Sequence, residues 1–214
     1  MLVTSLLLAR GGSTRGLLLW LGTLGYGAYN YAYYMLGAAL NAFFPLYIAA
    51  LLLSVVTLIL ALLRIGVAEI AASFRPKTPV RIVGGYLVFV AVGLTFVWMV
   101  MWAAYIFAGQ PTPIEPEAFK LVAALDITIM VPALALGGVL LWRRNAWGYI
   151  VAAIAGIQGS LYLLVLSINS AVAILRGLAE APGELPLWGT LAAATAAVTL
   201  LLLASARGRG GRRP

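Results

Sequence analysis

The chain has no cysteine and no histidine, and only six acidic residues among 214. Without thiolate or imidazole donors the usual sites for haem, iron–sulfur, copper and zinc lose their ligands, so no metal and no cofactor is expected. Disulfides are excluded, and cysteine pairing therefore says nothing about redox compartment. The lack of a histidine base weakens most acyl-transfer mechanisms and tilts the reading away from an enzyme. Gly-x-Ser-x-Gly, Walker and His-Glu-x-x-His motifs are missing. So are an arginine ladder within one apolar run and a lysine in the last run that would hold a retinal Schiff base.

Charge is scarce as well. Charged residues make up 9% of the chain and hydrophobic residues 64%, against roughly a quarter charged in an ordinary soluble domain. Lipid, not water, is therefore the expected main solvent. Apolar runs of about twenty residues recur, each long enough to cross a hydrocarbon core of about 30 Å at 1.5 Å per residue. The expected fold is all-α, a polytopic transmembrane bundle with spans at about 16–38, 43–64, 81–108, 118–142, 147–176 and 187–206. These form a single domain, 1–206, followed by a basic Gly/Arg-rich tail, 207–214, expected to be disordered and close to anionic headgroups. The short connections at 39–42 and 143–146 make their flanking helices antiparallel neighbours. Pro111, Pro113 and Pro116 mark 109–117 as a surface loop. The 65–80 stretch reads as a solvated loop, partly along the interface. The apolar segment 1–9 spans only about 14 Å as a helix, too short to cross, and reads as an interfacial piece or as the remnant of a further, seventh span.

Six spans place Lys and Arg in alternate loops. Arg10, Arg15, Arg64, Arg75, Lys77, Arg81, Arg143, Arg144, Arg207, Arg209, Arg212 and Arg213 fall on one side, and only Lys120 and Arg176 on the other. The positive-inside rule assigns the first side, with both termini, to the cytoplasm of a bacterial-type inner membrane. A net charge of +8 is thus a topology signal, and because it is not gathered in one soluble module, nucleic acid is not expected as a partner. Phe43, Tyr47, Trp102, Trp142, Trp147 and Trp188 near span ends suit the aromatic belt at the two interfaces.

Helix association in lipid depends on close packing and interhelical hydrogen bonds, so small residues mark contacts. Gly148, Ala152, Gly156 and Ser160 form one ridge on the fifth span, with Ala133 and Gly137 on the fourth and Gly22, Gly25 and Gly27 on the first. These stripes speak to packing only.

Asp126 is the one acidic side chain well inside an expected span. A carboxylate at mid-membrane costs about 3 kcal/mol on insertion scales, so it should face the bundle interior with a partner. Thr128 and Pro132 lie on the same helix, and the proline frees backbone carbonyls. Asn30 of the first span falls at the same depth, about 12 Å from the outer surface at 1.5 Å per residue. Tyr26, Asn30 and Tyr33 share one helical face, while Thr95 and Trp98 of the third span and Tyr162 of the fifth lie in the outer half, with Gln158 one turn deeper. The leading expectation is an outward-opening, aromatic-lined cavity that binds or transports a small lipophilic or weakly polar ligand. Two further readings stand beside it: a structural or assembly subunit, with a membrane-protein partner or as a homo-oligomer, and an intramembrane enzyme using Asp126.

Overall fold

The computed structural model describes residues 1–207, all-α with no strand among them apart from an isolated bridge between Phe74 and Ala206. The tail expected at 207–214 falls outside the described residues except for Arg207. In chain order the helices are α1 (Leu2–Arg10), α2 (Thr14–Gly37), α3 (Phe44–Arg64), α4 (Val67–Ala72), α5 (Val80–Ala108), α6 (Pro116–Leu125), a five-residue π-helical segment (Asp126–Met130), α7 (Val131–Trp142), α8 (Ala146–Leu175) and α9 (Leu185–Ser205).

Among the described residues five helical runs are long and apolar enough to cross a membrane: α3, α5, the continuous Pro116–Trp142 run, α8 and α9. The chain is a multi-pass integral membrane protein. Helix α2 has 24 residues, enough in length, but Arg15, Asn30, five tyrosines and five glycines dilute its apolar character and it is not among the five.

Local chemistry sets the helix ends. The Ser13 hydroxyl accepts from Gly16 N–H (3.1 Å) at the start of α2, and the Asn145 side chain accepts from Trp147 N–H (3.0 Å) at the start of α8, each satisfying a donor that the first turn leaves open. Pro45, Pro116 and Pro186 occupy first-turn positions, where the missing N–H costs nothing. Gly109 closes α5 in the left-handed conformation, φ 64°, which glycine adopts without a Cβ penalty.

Helix α8 is the hub, packed against α2, α7 and α9 with α4 beneath it. Its small-residue ridge meets two neighbours. Gly148 lies against the backbone of Leu140 and Leu141 on α7, a Cβ on Gly137 would fall 2.9 Å from Ala152 Cα, and Gly156 faces Thr199 on α9. The glycines of α2 do the same work: Gly22 meets Ile157, Gly25 meets Ile154 and Gln158, and Gly27 meets Ser54 on α3. Helix α3 rests on α2 and has no fully buried residue.

The basic residues collect at one end of the bundle, which is tied together by backbone bonds. Arg15 donates from Nε and Nη2 to the Ala206 carbonyl (3.0 and 2.8 Å). Arg75 N–H donates to Ser205 O and Arg207 N–H to Ser73 O. The 65–80 stretch is more ordered than a solvated loop: α4 and Phe74 fold onto this end, Ile70 and Phe74 are buried, and the Phe74 ring lies 4.6 Å from Tyr149. Helix α1 turns back at Gly11–Gly12 and packs on α2, with Leu8 against Gly16 and Ser5 buried.

Candidate functional site

A polar cluster lies where α2, α5, the π segment and α8 meet. Pro132 cannot donate a backbone hydrogen bond, and its ring crowds the carbonyl one turn before it, at Thr128. The chain accommodates this by widening: Val131 N–H donates to the Asp126 carbonyl five residues back, and 126–130 is π-helical. Such bulges inside α-helices recur at functional sites.

The wide turn places Asp126 in the bundle interior, 1% exposed. Both carboxylate oxygens accept hydrogen bonds from other helices. Tyr29 of α2 donates its hydroxyl to Oδ1 (2.6 Å), and Trp98 of α5 donates Nε1–H to Oδ2 (2.9 Å). Aromatic rings surround this pair: Tyr162 of α8 meets Tyr29 edge to face at 5.3 Å, and Phe119 of α6 meets Trp98 at 5.0 Å. Among the described residues no cationic side chain lies against Asp126; the ion pair Glu117–Lys120 sits at the far, acidic end of the bundle.

Depth follows from helix rise. Tyr29 lies about 12 Å from the acidic end of α2, Asp126 and Trp98 about 15 Å from the same end of their helices, all near the middle of a hydrocarbon core of about 30 Å. Interhelical hydrogen bonds in membranes average about 0.6 kcal/mol and reach about 1.7, so the two donors offset part of the insertion cost of about 3 kcal/mol for a carboxylate.

Gln158 sits one turn deeper than Tyr162 and is 3% exposed. Its Oε1 lies over Gly25, so close that a Cβ there would fall 3.1 Å away. Its Nε2 has no hydrogen-bond partner. A buried amide donor left open costs about 1–3 kcal/mol, so its retention calls for an explanation beyond packing.

Gln158 apart, the residues singled out in the sequence divide into four groups. Asp126 and Trp98 touch directly, and Tyr162 joins them through Tyr29. Tyr26 pairs with Asn30 across one turn of α2, hydroxyl to Oδ1 at 3.5 Å, beside the cluster and not within it. Tyr33 is on the surface, its ring against Tyr34 at 5.6 Å. Thr95 and Thr128 bond back to their own helices, to the carbonyls of Ala91 and Ala124, and Thr128 is exposed. Asn30 is therefore not the first-span partner of Asp126. Tyr29 is, and the sequence signal for it was available: Gly22, Gly25 and Tyr29 recur at the spacing of one helix face, and the two glycines mark that face as the buried one.

Two cavities stand out, and Asp126 lines neither. One, of about 470 Å³, lies at the basic end between the α1–α2 turn and α4, with Ser13, Arg64 and Glu69 in its wall. The other, of about 430 Å³, is an apolar groove on the outer face between α5 and α7, lined by Ala91, Thr95, Phe96, Met99, Val131 and Ala135.

No family model matches the chain, and no curated protein and no solved structure is significantly similar to it.

Proposed function

We propose that this protein crosses the bacterial cytoplasmic membrane six times, with α2 as the sixth span and both termini in the cytoplasm. In this reading it binds or moves a small lipophilic or weakly polar ligand at the Asp126 cluster. One observation carries the reading: a carboxyl group at mid-depth, held from both sides by neutral donors on two other helices, with no cation against it among the described residues. Ionisable groups in that position are costly and mark ligand, ion or proton pathways. The open amide of Gln158 and the π segment support the same conclusion, the first as an unused donor and the second as a place where the helix can change pitch. The segregation of basic residues to one end supports the orientation, and the 24 residues of α2 are long enough to cross. Asn30 and Tyr26 lie beside the site on α2.

Thermal-shift measurements on the purified protein against a panel of lipophilic amines, alcohols and quinones test the site. Asp126→Asn and Asp126→Leu should remain monodisperse and lose the ligand-induced shift. If both keep it, Asp126 is structural and the proposal fails.

The assembly reading keeps one supporting feature. The small-residue ridge of α8 is used inside the bundle, whereas α3 has no fully buried residue and offers its outer face to lipid or to another membrane protein.

A further inference from the structure

The apolar groove between α5 and α7 and the Asp126 cluster are two parts of one structure. Thr95 and Met99 wall the groove from α5, and Trp98, between them in sequence, donates to Asp126 Oδ2 at 2.9 Å. Val131 walls the groove from the other side, and its N–H donates to the Asp126 carbonyl. The groove thus lies beside the wide turn that carries the carboxylate; neither Asp126 nor Trp98 lines it, and the link between the two runs through the neighbours of Trp98 on α5 and through Val131.

We propose that the groove admits a lipophilic cation sideways from the bilayer, its apolar body lying against Ala91, Met99 and Ala135 and its positive charge reaching Asp126 once Trp98 swings aside. This rests on the ligand-site reading above and specifies the chemical class. Charge complementarity selects it. The carboxylate is bonded only to neutral donors, and among the described residues the chain sets no positive side chain against it. An anionic or strongly hydrated ligand has no counterpart in an apolar groove beside a carboxylate. An organic cation finds an opposite charge next to the rings of Tyr29 and Trp98, which bond the carboxylate, and aromatic rings attract cations over their π systems, most strongly when water is excluded. The groove of about 430 Å³ is of the size that holds a small organic molecule. Entry from the lipid side also agrees with the closure of the carboxylate, which is 1% exposed.

The test is equilibrium binding of radiolabelled tetraphenylphosphonium to the full-length protein in nanodiscs of neutral phosphatidylcholine, with uncharged triphenylphosphine oxide as competitor. Saturable binding is expected, weakened by at least about tenfold in Asp126→Asn, the loss of one charge contact. A similar loss is expected in Ala135→Phe, which fills the groove without touching the carboxylate, and the oxide should not compete. Absence of saturable binding, or equal binding by wild type and Asp126→Asn, overturns the proposal. If the oxide binds as tightly and its binding requires Asp126, the cation class is wrong while the ligand site survives. If Asp126→Asn abolishes binding but Ala135→Phe leaves it intact, the lateral groove is not the route.

Discussion

Helix α8 is buried over its first half and only partly covered over its second. All of its buried residues fall between Gly148 and Gly159, while Leu164, Val165, Ile168, Val172 and Leu175 lie on the surface. The same division runs through its neighbours. The buried residues of α5 end at Ala91, with Phe96, Val100 and Phe107 exposed beyond them, and those of α9 begin at Thr195. The basic half of the bundle is therefore tightly packed and the acidic half open, with the Asp126 cluster at the boundary. Two kinds of cohesion are at work. In the basic half, glycine and alanine let backbones approach, and dispersion acts over many close contacts. At the boundary a few side-chain hydrogen bonds, Tyr29 and Trp98 to Asp126, join α2, α5 and the π segment. A ligand site fits better at such a boundary than inside the dense half, since local opening favours regions with few buried contacts.

The sharpest way to break this comparison is to place the same side chain in each half. A Cβ at Gly137 would lie 2.9 Å from both Ala152 Cα and Ala152 N, backbone atoms that cannot move aside, whereas one at Gly93 meets nothing within 4 Å. Gly137→Leu should lose about 3 kcal/mol or more by forcing α7 from α8, seen as aggregation or a large fall in melting temperature in detergent. Gly93→Leu should stay within about 0.5 kcal/mol of wild type or gain slightly from helix propensity. Equal tolerance of the two would mean that the dense half is not dense.

A smaller effect separates the two polar residues that sit side by side on α2. Tyr29→Phe removes one hydroxyl and leaves Asp126 Oδ1 without its donor; interhelical hydrogen bonds in membranes average about 0.6 kcal/mol and reach about 1.7. We expect about 1 kcal/mol lost, with most of the loss absent when Asp126 is already Leu. Asn30→Leu should cost less than about 0.5 kcal/mol, because its contact with Tyr26 is a long one within a single helix. A double-mutant cycle read by reversible unfolding in mixed micelles checks both values. Coupling of Asn30, and not Tyr29, to Asp126 would return the site to the geometry expected from sequence.

The helices were legible because a 30 Å hydrocarbon layer leaves few solutions for a chain this apolar. Expected spans such as 43–64 and 81–108 differ from the observed α3 and α5 by a residue at most, since Pro45, Pro79 and Gly109 mark where the helices begin and end. Asp126 and Trp98 were legible as candidates for a related reason: polar groups at that depth have few alternatives to one another. The signal for Tyr29 lies in Gly22 and Gly25, which mark the buried stripe of α2, whereas the depth that Asn30 shares with Asp126 does not fix which helix face meets it. Two features were not legible. The π segment depends on how Pro132 is accommodated, and an α-helical kink would have satisfied the same sequence. The folding of α4 and Phe74 onto the basic end depends on a pairing with Ala206, more than a hundred residues away, for which local pattern gives no signal.

The smallest expected effect has the opposite sign from the others and bears directly on what the boundary is for. Gln158 holds a buried Nε2 with no partner on a helix otherwise filled by well-packed alanines, glycines and isoleucines. Leucine has nearly its volume and no polar atom, so Gln158→Leu removes an unsatisfied donor and should raise stability by up to about 1 kcal/mol, read as a higher melting temperature in the absence of any ligand. If the amide is reserved for a ligand, the same variant should weaken binding in the thermal-shift panel even as the empty protein becomes more stable, and the two measurements would move in opposite directions. A loss of stability would instead mean that Oε1, seated over Gly25, holds α2 to α8. In that case Gln158 belongs with the packing of the basic half, and the site ends at Tyr162.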